Sequence, residues 1–316
     1  MTRGTQQVVR LGTRGSALAL WQANYVRDAL QRDAGISSEI VIIKSEGDRR
    51  PDAKLETLGV RGVFTKDLED ALHDGRIDMA VHSMKDVPTE FSDVCRILPI
   101  FRRADPRDAL VSRSGGGLAQ LPQRARVGTS SLRRACQLRA HRPDLELLEI
   151  RGNVDTRLRK LDASDYDAIL LAKAGMDRLG LSGRITEVLA PEVMLPAANQ
   201  GILCAEFLDA DWDVLRFLER FVDRNTQLAW AAERTLLRTL QGGCSVPLGC
   251  WARVEGEALV LDACVASPDG AEMLRRRAAA PSRSLADAES LGERAAREML
   301  DAGADRILRD LGKSVG

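Results

Sequence analysis

Three stretches of this chain set arginine beside hydroxyl groups where a strand gives way to a helix. "GTRGSALAL" carries Arg14 and Ser16, and "EIRGNVDTRLRKL" carries Arg151 and Arg157. "GTSSLRRA" carries Thr129, Ser130 and Ser131, with Arg133 and Arg134 in the first helical turn. A hydroxyl at such a junction is ordinarily an N-cap, worth about 1 kcal/mol, which accounts for Ser16 and Ser131 without any ligand. The arginines need another reason. A helix begins at the positive end of its dipole, where a cation costs a few tenths to about 1 kcal/mol. Adjacent guanidinium groups there call for an anion. Backbone N–H groups, hydroxyls and guanidinium forks together make a carboxylate or phosphate site. Several such sites imply a ligand with several negative groups. The competing explanation is a solvated arginine surface, the product of GC-rich coding, in a chain where arginine greatly outnumbers lysine.

Two further groups could react. "VHSMKDVP" places Lys85 and Asp86 just past a fourth strand end. They read either as a surface ion pair or as a carboxylate able to hold a cation or move a proton in a basic cleft. "LQGGCSVPLG" places Cys244 after a helix C-terminus, the negative dipole end, which disfavours a thiolate. No histidine lies near it in sequence. A Cys–His nucleophile is therefore a poor reading, and two remain: an inert buried thiol, or a sulfur that reacts once and then serves as a tether.

Strand ends that share chemistry need a sheet that gathers them. Up to about Ile100, "VVRLGT", "EIVIIKS" and "IDMAVHS" read as strands alternating with the helices "ALALWQANYVRDALQRD" and "TKDLEDALHDG". "FRRADPRDALVSRSGGG" breaks the pattern as a crossing between domains. The alternation resumes with "RARVGTS", "SLRRACQLRAHR", "LELLEIR", "VDTRLRKLD" and "YDAILLAKAG", ending near Pro196. Such alternation implies largely parallel sheets covered on both faces, with ligands at the carboxyl ends of the strands. The last third differs. The helix "NTQLAWAAERTLLRTL" precedes three strands separated by the turns "EGE" and "SPDG", and a final helix follows. Ser45–Arg61 is polar and aperiodic, a mobile lid or a disordered surface loop.

Composition narrows the function classes. Formal net charge is zero over 316 residues, which argues against nucleic acid as the main partner. No stretch approaches the roughly 18 apolar residues of a membrane span, and no signal peptide opens the chain. Six scattered cysteines and three histidines form neither C-x-x-C nor H-E-x-x-H patterns, so no metal is expected. The expectation is a soluble cytoplasmic protein with reduced thiols.

The motifs "TRGSALALWQA", "VHSMKDVP", "DPRDALVS", "GTSSLRR", "RGNVDTRLRKL", "ILLAKAGMDRLG", "LPAANQG" and "GGCSVP" resemble, in order and across nearly the whole chain, the porphobilinogen deaminase (hydroxymethylbilane synthase) family. The resemblance implies an α/β fold of two doubly wound, periplasmic-binding-protein-like domains plus a small α+β C-terminal domain. The implied division is 1–102 with 199–219, 103–198, and 220–316. It implies a transferase that joins four porphobilinogen units with loss of ammonia onto a dipyrromethane cofactor. The thioether to that cofactor falls on Cys244, and hydroxymethylbilane is released by water. Asp86 and Lys85 match catalytic positions. Cofactor contacts fall on Ser83, Lys85, Asp86, Thr129, Ser131, Arg133, Arg134 and Arg157, and substrate contacts on Arg14, Ser16, Gln22, Arg151, Arg178 and Gln200. The partner is porphobilinogen alone, taken up by a monomer, with neither nucleic acid nor membrane involved. Departures from the family pattern are Thr57 and Arg61 where lysines are frequent, Gln241 in "QGGC", and "NQGILCAE" for the usual "GQGALGIE". The rival reading is a non-catalytic, two-lobed anion-binding protein, which leaves Cys244 and Asp86 without a role.

Overall fold

The computed structural model describes residues 8–44, 65–88, 94–208, 216–241 and 246–310. Ser45–Arg61 and Cys244 lie outside the described residues. The chain divides into two units, Met1–Arg102 with Ile202–Asp223, and Arg103–Gly201 with Arg224–Gly316.

The first unit contains β1 (Val9–Thr13), α1 (Ala17–Ala34), β2 (Ser38–Ile42), α2 (Lys66–His73), β3 (Met79–Ser83) and β4 (Cys95–Ile100), and it is completed by β10 (Leu203–Leu208). Its sheet order is β2-β1-β3-β10-β4. β1 runs parallel to β2 and β3, while β10 is antiparallel to both of its neighbours. Both faces of β3 are apolar, so both need cover. Met79 and Val81 pack with Val26 and Leu30 of α1, whereas Ala80 joins Leu68 and Leu72 of α2 on the other face.

The second unit repeats the plan. It contains β5 (Asp108–Ser112), β6 (Arg126–Gly128), α3 (Leu132–His141), β7 (Glu146–Leu148), α4 (Val154–Asp162), β8 (Ala168–Ala172), α5 (Lys173–Arg178) and β9 (Glu187–Val188). The order is β7-β6-β8-β5-β9, with β5 antiparallel to β8 and β9. Ala168 and Leu170 pack with Leu138 of α3, and Ile169 and Leu171 with Leu158 and Leu161 of α4. These are the doubly wound sheets expected. Strands β5 and β10 are not announced by the sequence pattern. The stretch read as a crossing holds a fully buried strand, because a short run beginning with aspartate shows no apolar period of its own.

The same unit carries α6 (Arg224–Thr239), the antiparallel strands β11 (Leu248–Glu255), β12 (Ala258–Ala266) and β13 (Met273–Pro281), then α7 (Leu285–Asp301) and α8 (Ala304–Asp310). This is the small α+β arrangement expected from the turn signals. Its core joins Leu228, Leu236, Leu261, Leu291 and Met299. It is stitched to the second sheet's layer by Cys250 N–H donating to the Pro196 carbonyl at 2.9 Å and Arg139 Nη1 donating to the Pro268 carbonyl at 2.5 Å. Arg103 and the fully buried Glu233 form a further clasp, with Nη1 to Oε1 at 2.6 Å. Glu233 also accepts from the Asn199 and Ala252 amides. Gly201, at φ +90°, lies against Ala104, and a Cβ there would sit 2.6 Å from the Ala104 carbonyl.

The α6–α7 contact depends on Gly292, where a Cβ would fall 2.3 Å from the Ala232 carbonyl oxygen. Gly292→Ala must push two helices apart and is expected to cost about 1–3 kcal/mol, measured by urea denaturation. Unchanged stability would show that the helices can separate freely.

Candidate active site

In the first unit the site begins where β1 ends. Ser16 caps α1, its Oγ accepting from the Ala19 amide at 3.3 Å, as its place in the sequence implies. Arg14 precedes it, half-buried. From the buried second turn of the helix, Gln22 Nε2 donates to Ser83 Oγ at 2.7 Å, joining α1 to the end of β3. The chain then makes a short 3-10 turn, Met84–Asp86. The Met84 amide donates to the Ile202 carbonyl at 2.9 Å, while the Met84 side chain is buried. The turn thus anchors its first side chain and presents Lys85 half-buried and Asp86 exposed. Behind it, His82 Nε2 and Glu206 Oε2 lie 2.8 Å apart in the sheet's interior.

In the second unit the arginines behave differently from a solvated surface. Arg133 and Arg134 are both buried at the start of α3, and both bind Asp108, which is fully enclosed. Arg133 Nη1 donates to Asp108 Oδ2 at 2.7 Å, and Arg134 Nη2 and Nε donate to Oδ1 at 2.7 and 3.2 Å. Gln200 Nε2 adds a bond to Oδ1 at 2.9 Å. The sequence points to a ligand as the neutralising anion, but the chain supplies one of its own in Asp108. β5 runs antiparallel, so its first residue, Asp108, pairs with Ala172, the last residue of β8. A strand running backwards delivers its N-terminus to the edge where parallel strands end. Reasoning from strand C-termini alone misses Asp108; the one available signal is its place in "DPRDALVS".

Burial alone would raise the Asp108 pKa, but the fields and hydrogen bonds of two guanidinium groups override it and hold the carboxyl well below the usual range. One carboxylate against two guanidinium groups leaves a net positive charge. Arg157 adds to it. This half-buried side chain donates from Nε to the Gly152 carbonyl at 2.7 Å and has no carboxylate partner among the described residues. Burial, then the nearness of Arg134, lowers its pKa to about 10, so it stays charged at neutral pH. Thr129 is buried, its Oγ1 accepting from the Ser131 amide at 3.2 Å. The Ser131 hydroxyl, expected to cap α3, makes no capping bond. Arg151 lies against Glu149, and Arg178 Nη2 donates to the Gly201 carbonyl at 2.8 Å.

The candidate residues thus form two sets: Arg14, Ser16, Gln22, Ser83, Lys85 and Asp86 in the first unit, and Thr129, Ser131, Arg133, Arg134, Arg151, Arg157, Arg178 and Gln200 in the second. The structure adds Asp108. Cys244 lies outside the described residues. Among those described, no cluster of histidine, cysteine and acidic side chains could hold a metal ion, and no helix is long and apolar enough to cross a membrane.

Residues 9–216 match the family model described as porphobilinogen deaminase, dipyromethane cofactor binding domain, and residues 227–301 match its C-terminal domain. The chain belongs to the porphobilinogen deaminase family. Porphobilinogen deaminase of Bordetella parapertussis is 48% identical over 302 residues, which cover 95% of each chain. That of Syntrophobacter fumaroxidans is 45% identical over 308 residues, 97% of this chain and 99% of the relative. A periplasmic substrate-binding protein of an ABC transporter from Coxiella burnetii superposes on 68% of this chain and 92% of its own, with a TM-score of 0.43 at 14% identity. The activity of the family is the head-to-tail polymerisation of porphobilinogen in tetrapyrrole biosynthesis, and its cofactor is dipyrromethane. The donor set here fits that group. Its acetate and propionate carboxylates need cations held without acidic partners and hydroxyls not spent on caps, which are the states of Arg157 and Ser131.

Removing a buried carboxylate strands two guanidinium groups, so Asp108→Ala is expected to cost about 3–5 kcal/mol. Asp108→Asn tests the charge alone. A depressed folded-state pKa stabilises fully above the unfolded value, near 3.9, and that stability is lost as pH falls through the folded value. The gap in unfolding free energy between wild type and Asp108→Asn should therefore be constant from neutral pH down to about 5 and narrow only at lower pH. A gap that changes between pH 6 and 8 would contradict this assignment.

Proposed function

We propose that the chain carries its dipyrromethane on Cys244 and polymerises porphobilinogen at Asp86, with the arginine-bearing strand ends holding the carboxylate arms. The observation that carries this reading is the state of the other thiols. Cys95, Cys136, Cys204, Cys250 and Cys264 are all buried. Loss of solvation pushes the Cys95 and Cys136 thiols up to about 11 and raises those of Cys250 and Cys264. Buried thiols are poor nucleophiles, which supports Cys244, the sixth cysteine of the sequence, as the tether.

Dipyrromethane, when bound, supplies the free pyrrole carbon at which growth occurs. The protein's tasks are binding, orientation and charge. Arg157 offers a desolvated guanidinium to carboxylates, and Arg133 does so from a side chain fixed by Asp108. Arg14, Ser16, Arg151, Arg178, Gln22 and Gln200 are proposed as substrate contacts. Thr129, Ser131, Ser83, Lys85 and Arg134 are proposed on the cofactor side. As ammonia leaves porphobilinogen, the substrate ring becomes an electron-poor azafulvene cation, which arginines repel. Asp86 is proposed to stand against that charge and then to take the proton lost from the attacking pyrrole carbon, with the Lys85 ammonium beside it facing the carboxylate arms. Magnitude decides what else is needed. At 4 Å the attraction is about 1 kcal/mol in water but about 4 kcal/mol at an effective dielectric near 20, roughly fivefold against nearly a thousandfold in rate. An exposed Asp86 works well only once the bound substrate excludes water.

Three domains are proposed, 1–102 with 199–219, 103–198 and 220–316; the sheet and core of the last, complete in themselves, support counting it separately. We further propose a cytoplasmic monomer. The chemistry supports this, since it requires porphobilinogen and water and neither nucleic acid nor membrane.

Intact-mass measurement of protein from substrate-replete cells should exceed the sequence mass by about two pyrrole units, and Cys244→Ala should abolish the excess. An excess that survives in Cys244→Ala would move the tether elsewhere. For Asp86→Asn, which keeps shape and removes charge, turnover of cofactor-loaded protein should fall about a hundredfold or more with folding unchanged. Turnover within a few-fold of wild type would assign the charge stabilisation to another group.

A further inference from the structure

Gln137 lies one helical turn beyond Arg133 on α3, is fully buried, and commits its amide to one peptide. The Leu195 amide donates to its Oε1 at 2.8 Å, and its Nε2 donates to the Leu195 carbonyl at 3.0 Å. Nε2 also lies 3.3 Å from the Arg133 carbonyl of its own helix. A neutral side-chain amide suits this task, since it donates and accepts at once. The same Leu195 carbonyl accepts from Arg133 Nη1 at 2.7 Å. Arg133 Nη1 is therefore held between two acceptors, Asp108 Oδ2 and the Leu195 oxygen.

These acceptors do different work. Asp108 supplies charge but is shared with Arg134 and Gln200, so it does not by itself decide where the Arg133 guanidinium points. The Leu195 carbonyl supplies direction, and Gln137 holds Leu195 at both of its backbone groups, donating to the carbonyl and accepting from the amide. The adjoining Pro196 carbonyl accepts from Cys250 of β11, so the clamped peptide also bears the C-terminal sheet. With Gln137 removed, the Leu195 peptide loses its side-chain hydrogen bonds to α3 except the one from Arg133.

We propose that Gln137 is a positioning residue for the polymerisation, holding the Leu195 peptide so that it aims the Arg133 guanidinium at the pyrrole carboxylates. This inference rests on the reading of Arg133 as a cofactor-contacting residue. It accounts for a buried glutamine, which donates and accepts at once, where a leucine would leave the Leu195 amide without its acceptor. The role is indirect: Gln137 acts through Arg133 and needs no contact with the ligand.

The test is a double-mutant cycle of Gln137→Met with Arg133→Lys, read by kcat, KM for porphobilinogen, cofactor content from intact mass, and urea denaturation. Gln137→Met keeps the volume and removes both hydrogen bonds to Leu195 and the one to the Arg133 carbonyl. Gln137→Glu, of the same shape but unable to donate when ionised, is measured in parallel and carries the comparison should the methionine variant not fold. Each Gln137 variant should lose about tenfold or more in kcat among molecules that carry cofactor. The double variant should be no slower than the slower single. Losses that multiply, or a Gln137 variant with wild-type turnover beside an impaired Arg133→Lys, would overturn the inference. Wild-type turnover and cofactor content in Arg133→Lys would instead remove the reading of Arg133, and this inference with it.

Discussion

Asp108 accepts four hydrogen bonds from Arg133, Arg134 and Gln200 in a space closed to water. Two guanidinium groups buried at the positive end of a helix dipole would be untenable alone. With one carboxylate between them the cluster becomes tolerable yet stays positive by one charge. That balance matters for a protein that must hold a polyanion. Full neutralisation would leave nothing for the ligand, and no neutralisation would open the start of α3 to solvent. Arg157, whose desolvation no acidic partner offsets among the described residues, carries the remainder of the unbalanced charge.

A second buried ion pair has another purpose. Arg103 and Glu233 join both connecting segments to α6 and β11, because Glu233 also accepts the Asn199 and Ala252 amides. Here each charge is satisfied within the fold. The contrast separates an ionic group whose two charges balance from one that keeps a net positive charge. Asn199, which donates its amide to the first, takes φ +62° where the family usually has glycine, a conformation asparagine tolerates better than most residues.

Periodicity made the parallel strands and the long helices legible, since each of β1, β3, β6 and β8 is a short apolar run followed by a helix start. The arginines at the starts of α3 and α4 were legible because their placement opposes the helix dipole. The antiparallel strands that enter the two doubly wound sheets were not. β5 and β10 enter beside parallel neighbours, and no local pattern states which strand a segment will pair with across more than a hundred residues. Asp108 was hidden for the same reason: its role depends on pairing with Ala172, not on its sequence neighbours. Five buried thiols were equally invisible, because burial of a lone cysteine is decided by what packs on it.

The strand order also constrains how the chain can be made. β3, which leads to Asp86, gains one of its two neighbours only when β10 has been synthesised, after the whole second sheet. At ribosomal elongation speeds that delay is on the order of ten seconds. During it the first sheet has an open edge along a buried, apolar strand, the kind of edge that recruits other chains. In the second sheet the wait is shorter: β5 gains its neighbour β8 after about half as many residues, and β6, β7 and β8 follow one another directly. Of the two doubly wound sheets, the one that leads to the aspartate is therefore begun first and completed last, and its nascent form is the one that most needs protection from aggregation.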